Sequence, residues 1–140
     1  MRRPSGVAML ISMTEATLRP LVLIAGGGVA ALEAVLALEA LAGARVRMEL
    51  LTPADEFVFR PLLVGEPFDR TEARHVPLRE LLAGRPVRHV QDGLATVDAA
   101  ARRVRTTSGA DRGYDALLVA SGARTAESVP GALTSMVRLP

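Results

Sequence analysis

Residues 21–31 read Leu21-Val22-Leu23-Ile24-Ala25-Gly26-Gly27-Gly28-Val29-Ala30-Ala31. The apolar run between Pro20 and Gly26 has the length of a strand buried on both faces, as strands inside a parallel sheet are. After the glycines, Val29 to Ala42 is rich in Ala, Leu and Glu, which lose little freedom in a helix, and Gly43 ends the run. Leu32, Val35, Leu36 and Leu38 are expected to form the apolar side of this helix, with Glu33 and Glu39 at its wet edge. Gly26, Gly28 and Ala31 fill the pattern G-x-G-x-x-G/A, with a strand before it and a helix after it as the pattern requires. Each position has a physical task. Gly26 turns the chain sharply out of the strand. Gly28 leaves no side chain where a diphosphate approaches the main chain, and Ala31 lets helix and strand pack closely. The N–H groups of Gly27, Gly28, Val29 and Ala30, at the positive end of the helix, are suited to hold that diphosphate. A tight turn without a ligand would use the same glycines; the two correct flanks favour dinucleotide binding.

Outward from this unit, Arg45 to Leu51 predicts a second strand, parallel to the first because a helix joins them, and Pro53 ends it. The glycine pattern then asks for an acid about 20 residues on, at the end of the second strand, to accept the ribose hydroxyls. Thr52 stands there and is favoured for the ribose edge, a hydroxyl in place of a carboxylate. Glu49 points to the opposite face and is read as a solvated strand residue, and Asp55 comes late. Residues 52–75, with Pro53, Pro61, Gly65 and Pro67, read as a long irregular connection, and such connections in compact domains are usually functional. Pro77 opens a short helix to about Ala83. Strands are expected at Val87–Val90, Leu94–Asp98 and Arg102–Thr107, the last two as a hairpin around Ala99–Ala101. A turn at Ser108–Asp111 leads to Arg112–Asp115, and the apolar strand Ala116–Ala120 ends at Ser121-Gly122. The expected fold is α/β: a Rossmann-like three-layer domain over residues 20–126, with a parallel sheet and a small antiparallel meander. Residues 1–19 form an N-terminal extension expected to be disordered, and residues 127–140 a C-terminal tail.

Composition narrows the chemistry. The chain has 140 residues, 49% hydrophobic and 23% charged, which fits one domain with a real core and excludes global disorder. It has no cysteine, so it offers no disulfide, thiolate zinc site, iron–sulfur ligand, thiol nucleophile or dithiol relay. The formal charge is +2; every basic residue is Arg, and the arginines are interleaved with Asp and Glu. With three Phe, one Tyr and no Trp there is no basic face lined with aromatics, and nucleic-acid binding is not expected. Val7–Met13 is short for a secretory apolar region and Glu15 follows it; a start at Met13 is the alternative to Met1. The apolar stretch from Leu21 is interrupted by glycines, so no membrane span is expected and a cytoplasmic location is the default. His75 and His89 fit no catalytic spacing and read as ordinary surface or edge residues.

Gly26-Gly27-Gly28-Val29-Ala30-Ala31-Leu32-Glu33-Ala34 near one end and Tyr114-Asp115-Ala116-Leu117-Leu118-Val119-Ala120-Ser121-Gly122-Ala123 near the other resemble the FAD-binding domain of the two-dinucleotide-fold flavoprotein oxidoreductases. The stretch Leu50 to Leu63, with Phe57, Phe59, Pro61, Leu62 and Leu63, resembles the type II NADH dehydrogenase and sulfide:quinone oxidoreductase branch, in which such a loop lies along the cofactor. The resemblance covers residues 20 to 126. It implies that Gly26, Gly28 and Ala31 hold the FAD diphosphate and that Thr52 takes the place usually held by Asp or Glu. It further implies that the main chain at Ala95, after Gly93, meets the adenine. Ser121 and Gly122 form the turn returning past the diphosphate, and Arg60-Pro61 lies toward the flavin end. Full-length members continue into a second dinucleotide fold and then return to complete the FAD domain; neither part is expected within the residues up to Pro140.

The function implied is the FAD-binding portion of an enzyme that moves a hydride from NAD(P)H through FAD to an acceptor such as a quinone. Alone the chain is expected to bind FAD weakly and not to turn over. A location peripheral to the inner face of the membrane is compatible with that family. The competing reading is a non-catalytic dinucleotide-binding module, completed by a separate polypeptide or by pairing with a second copy. A flavin-free NAD(P) enzyme of the short-chain type would need Tyr-x-x-x-Lys, and there is no Lys.

Overall fold

The computed structural model describes residues 19–59 and 74–123. In chain order these form β1 (Leu21–Ala25), α1 (Val29–Ala42), a 3-10 turn (Gly43–Arg45), β2 (Arg47–Thr52), β3 (Glu56–Val58) and β4 (His75–Pro77). They continue as α2 (Leu78–Leu81), β5 (Val87–Gln91), β6 (Leu94–Asp98), β7 (Arg103–Thr106), β8 (Asp111–Gly113) and β9 (Ala116–Val119). Strands β5, β2, β1 and β9 lie side by side in that order, every neighbouring pair parallel. The strand at Val87 thus joins the central sheet, although its sequence does not tell which sheet it enters.

Successive side chains of a strand point to opposite faces, so the unbroken apolar run of β1 fills two cores. Ile24 and Leu50 meet Ala31 and Val35 of α1 and Leu78 and Leu82 at α2. Leu23 and Leu51 meet Val104 of the antiparallel β6-β7-β8 meander on the other face, with Val90, Leu94, Tyr114 and Leu117 around them. The result is three layers: helices, parallel sheet and meander, the expected class.

Three details differ from expectation. On α1 the fully buried residues are Ala31 and Val35, one helical turn apart, whereas Leu36 is 41% exposed because it lies a further 100° round the helix. Part of the connection after β2 is regular: β3 pairs antiparallel with β4, Phe57 packs against the helical-face core, and the Leu78 N–H donates to the Asp55 carbonyl at 2.8 Å. Glu49 is not solvated. Its side chain is 14% exposed and accepts from Arg112 of β8 at 3.0 Å, with Arg88 at 3.6 Å. That ion pair clamps the meander to the sheet. Arg112→Ala is expected to cost about 1–3 kcal/mol because it removes the nearer, hydrogen-bonded cation from a largely covered carboxylate. Arg88→Ala, at the exposed end, should stay within about 0.5 kcal/mol. Urea denaturation of both variants checks the order; equal effects would remove the clamp.

Candidate functional site

Chain direction diverges at β1. From β1 the chain proceeds through α1 to β2 on one side, and β9 returns on the other. The carboxyl end of β1 is therefore the topological switch point, where open α/β sheets leave a crevice. Gly26 to Gly28 occupy it. The Gly26 N–H donates to the Leu51 carbonyl at 2.9 Å and the Ala120 N–H to the Ala25 carbonyl at 2.7 Å, so both flanking strands are held against the exit from β1. Gly26 has φ +141°, and a Cβ there would lie 2.2 Å from the Ala120 carbonyl oxygen. Gly27 backs onto Thr52, whose Oγ1 would be 2.6 Å from an added Cβ.

Gly28 is different in kind. Its backbone is ordinary extended chain, φ −90° and ψ −171°, and an added Cβ would meet nothing within 4 Å. Gly28 is the N-cap of α1, with no side-chain cap and no acidic residue in the first turn. Its carbonyl accepts from the Ala31 and Leu32 N–H groups, both at 3.1 Å. Among the described residues, the N–H groups of Gly27, Gly28, Val29 and Ala30 have no acceptor, and Gly28, Val29 and Ala30 are exposed. A row of open amides at the positive end of a 14-residue helix, beside a space no side chain fills, fits a diphosphate.

The other candidate residues fall around this turn. Thr52 ends β2 and is 3% exposed; its Oγ1 accepts from the Ala54 N–H at 3.3 Å and its carbonyl from the Asp92 N–H at 3.1 Å. Ser121 and Gly122 follow β9 on the opposite side of the glycine turn, both exposed, with Gly122 at φ +73°. Ala95 lies past the end of β5. The β6–β7 register jumps between Leu94 and Thr96, so Ala95 is the extra residue of a bulge and has no cross-strand partner. Arg60 and Pro61 lie outside the described residues.

Asp92, which no local pattern singles out, is the most heavily hydrogen-bonded side chain near the site among the described residues. Its carboxylate accepts from the Gly93 N–H at 2.7 Å, Thr107 Oγ1 at 2.6 Å, and the Ser108 N–H and Oγ at 3.2 and 2.5 Å. The only local hint is Asp before Gly at a strand end; the Thr107-Ser108 donors lie 15 and 16 residues further on. A cleft of about 300 Å³ lies among Asp55, Glu56, Pro77, Arg79, His89 and Gln91. His75 Nδ1 is 3.0 Å from Glu56 Oε2, and His89 Nε2 is buried with no hydrogen-bond partner among the described residues. Among the described residues there is no metal-binding cluster, and no helix is long and apolar enough to cross a membrane.

No family model matches the chain. Over 120 residues, 79% of this chain and 28% of the relative, it is 33% identical to an NADH dehydrogenase-like protein of Mycobacterium tuberculosis. Its fold is similar to the sulfide:quinone oxidoreductase of the hyperthermophilic bacterium Aquifex aeolicus, with a TM-score of 0.72 and 24% identity over 77% of this chain and 25% of that one. It is also similar to NDH2 of Plasmodium falciparum in a complex with NADH, with a TM-score of 0.67 and 19% identity over 78% of this chain and 23% of that one. The architecture is that of part of an FAD/NAD-binding domain, and the chain spans about a quarter of the length of these proteins.

Proposed function

Because the chain belongs to the pyridine nucleotide-disulfide oxidoreductase family of flavoproteins, we propose that it is the FAD-holding portion of an NAD(P)/FAD-dependent oxidoreductase. The observation that carries this reading is the open glycine turn at the switch point: amides from Gly27 to Ala30 without an acceptor among the described residues, exposed from Gly28 to Ala30, beside the empty side-chain space of Gly28. Those amides would hold the diphosphate, and Ala31, buried against the sheet, keeps α1 close enough to aim them. Ser121 and Gly122 would border the diphosphate from the β9 side. The end of β2 would underlie the ribose edge, with the Thr52 hydroxyl itself covered by Gly27 and bonded to the Ala54 N–H, and the Ala95 main chain would lie at the base, as the resemblance implies. Arg60 and Pro61 belong, by resemblance, toward the flavin. When bound, FAD would supply the redox chemistry, hydride transfer from NAD(P)H toward a small acceptor such as a quinone. The chain's own part is to bind and orient. It contributes no thiol.

Titration of the purified chain with FAD, followed by flavin fluorescence, is expected to show weak saturable binding. NADH or NADPH oxidation by the chain alone is expected to be negligible. Absence of any saturable binding would overturn the reading. One observation favours the second reading, a dinucleotide-binding module completed by another polypeptide. The outer strand β9 leaves Leu118 37% and Val119 56% exposed, and parallel sheets normally cover both faces. Size measurement by light scattering, with and without a candidate complementing chain, separates the two.

A further inference from the structure

The carboxyl ends of β1, β2 and β5 stand side by side, and neighbouring strands are about 4.8 Å apart. The glycine turn caps the first, Thr52 ends the second, and Gln91, the register partner of Thr52, ends the third. A dinucleotide whose diphosphate rests on the glycine turn and whose ribose lies over the end of β2 therefore lays its base over the end of β5. The main chain there is Gly93 to Ala95, and Ala95, exposed in its bulge, has no ladder partner. Adenine presents an amine donor beside a ring-nitrogen acceptor, and hypoxanthine reverses both. A fixed main-chain N–H and C=O distinguishes them only if the segment cannot shift.

What fixes the segment is Asp92. Its N–H is tied to the Thr52 carbonyl, and its carboxylate gathers Gly93, Thr107 and Ser108 into one knot. The Thr107 N–H returns a bond to the Gly93 carbonyl at 2.8 Å, and a Cβ on Gly93 would meet Thr107 Cγ2 at 2.8 Å, so the meander turn and the end of β5 are in close contact. We propose that Asp92 is a positioning residue of the dinucleotide site, holding the Gly93–Ala95 main-chain edge in register to read an adenine base. This rests on the reading of the glycine turn as a dinucleotide site. The hydroxyl and amide donors around it hold the Asp92 carboxyl well below the usual carboxylate range, so it accepts these bonds as a carboxylate at neutral and mildly acidic pH.

The test uses ADP and IDP, which share the diphosphate and ribose and differ at the base edge. Binding is measured by calorimetry on the full chain and on Asp92→Ala and Asp92→Asn. The unsubstituted chain is expected to prefer ADP about tenfold or more, the order expected when a base edge leaves polar groups unpaired. Asp92→Ala should keep its IDP affinity within about twofold and lose the preference, since the diphosphate contacts are untouched. Asp92→Asn, which retains one carbonyl oxygen in the knot, should keep most of it. Full preference in Asp92→Ala, or equal loss of both nucleotides, overturns the positioning role while leaving the glycine-turn reading intact. If the unsubstituted chain binds neither nucleotide, the glycine-turn reading falls and this inference with it.

Discussion

Gly26→Ala is expected to abolish cooperative folding. A methyl group there would sit 2.2 Å from the Ala120 carbonyl oxygen and 2.6 Å from its carbon, and the residue would have to hold φ +141°. Either penalty alone is serious; together they exceed about 4 kcal/mol, a large share of the roughly 5–15 kcal/mol by which a domain is stable. The contact has no soft side. The Ala120 N–H is bonded to Ala25 and the Gly26 N–H to Leu51, so moving β9 away would break the ladder and withdraw Leu117 from the core around Leu23. Circular dichroism through a thermal ramp is the measurement: a sigmoidal transition in the unsubstituted chain, and none in soluble Gly26→Ala. A variant that melts like the parent would show that β9 does not abut the exit from β1.

Gly28→Val should have the opposite profile: a fold unchanged within about 1 kcal/mol, most of it the poorer helix cap, and FAD binding weakened at least about a hundredfold. The backbone at Gly28 suits a β-branched residue, and no protein atom lies within 4 Å of the added Cβ. The space is closed only when something rests against the amides of α1, so an isopropyl group there obstructs a ligand and not the chain. Parallel thermal melts and FAD titrations decide it. Parent-like FAD affinity would mean that the diphosphate does not approach Gly28; collapse of the fold would mean that the space is needed by the protein itself. Glycines two positions apart in one motif are thus separable, one required by the fold and the other by the ligand.

Much of this arrangement is legible in residue order because it is local. Leu21–Ala25 is apolar at every position because its alternate side chains enter two cores, and the glycines lie where the chain must turn out of a strand into a helix. Less legible are contacts whose partners are distant in the chain. Glu49 reads as a wet strand residue until Arg112, 63 positions later, folds over it. Leu36 belongs by composition to the apolar side of α1, yet the core buries Ala31 and Val35 fully and Leu32, Ala34 and Leu38 in part, and leaves Leu36 41% exposed. Nothing near Asp92 announces that Thr107 and Ser108 will surround it.

The identity of the central strands and of α1, the glycine turn and the α/β class follow from the order of residues, because periodicity and backbone sterics act over a few positions, whereas β3 and β4 do not. The sheet order β5-β2-β1-β9, the burial of Glu49, the bulge at Ala95 and the knot at Asp92 follow only from the folded chain. Each depends on segments that approach one another after long loops have closed, and the free energy of such contacts comes from burial and pairing that no single stretch of sequence contains.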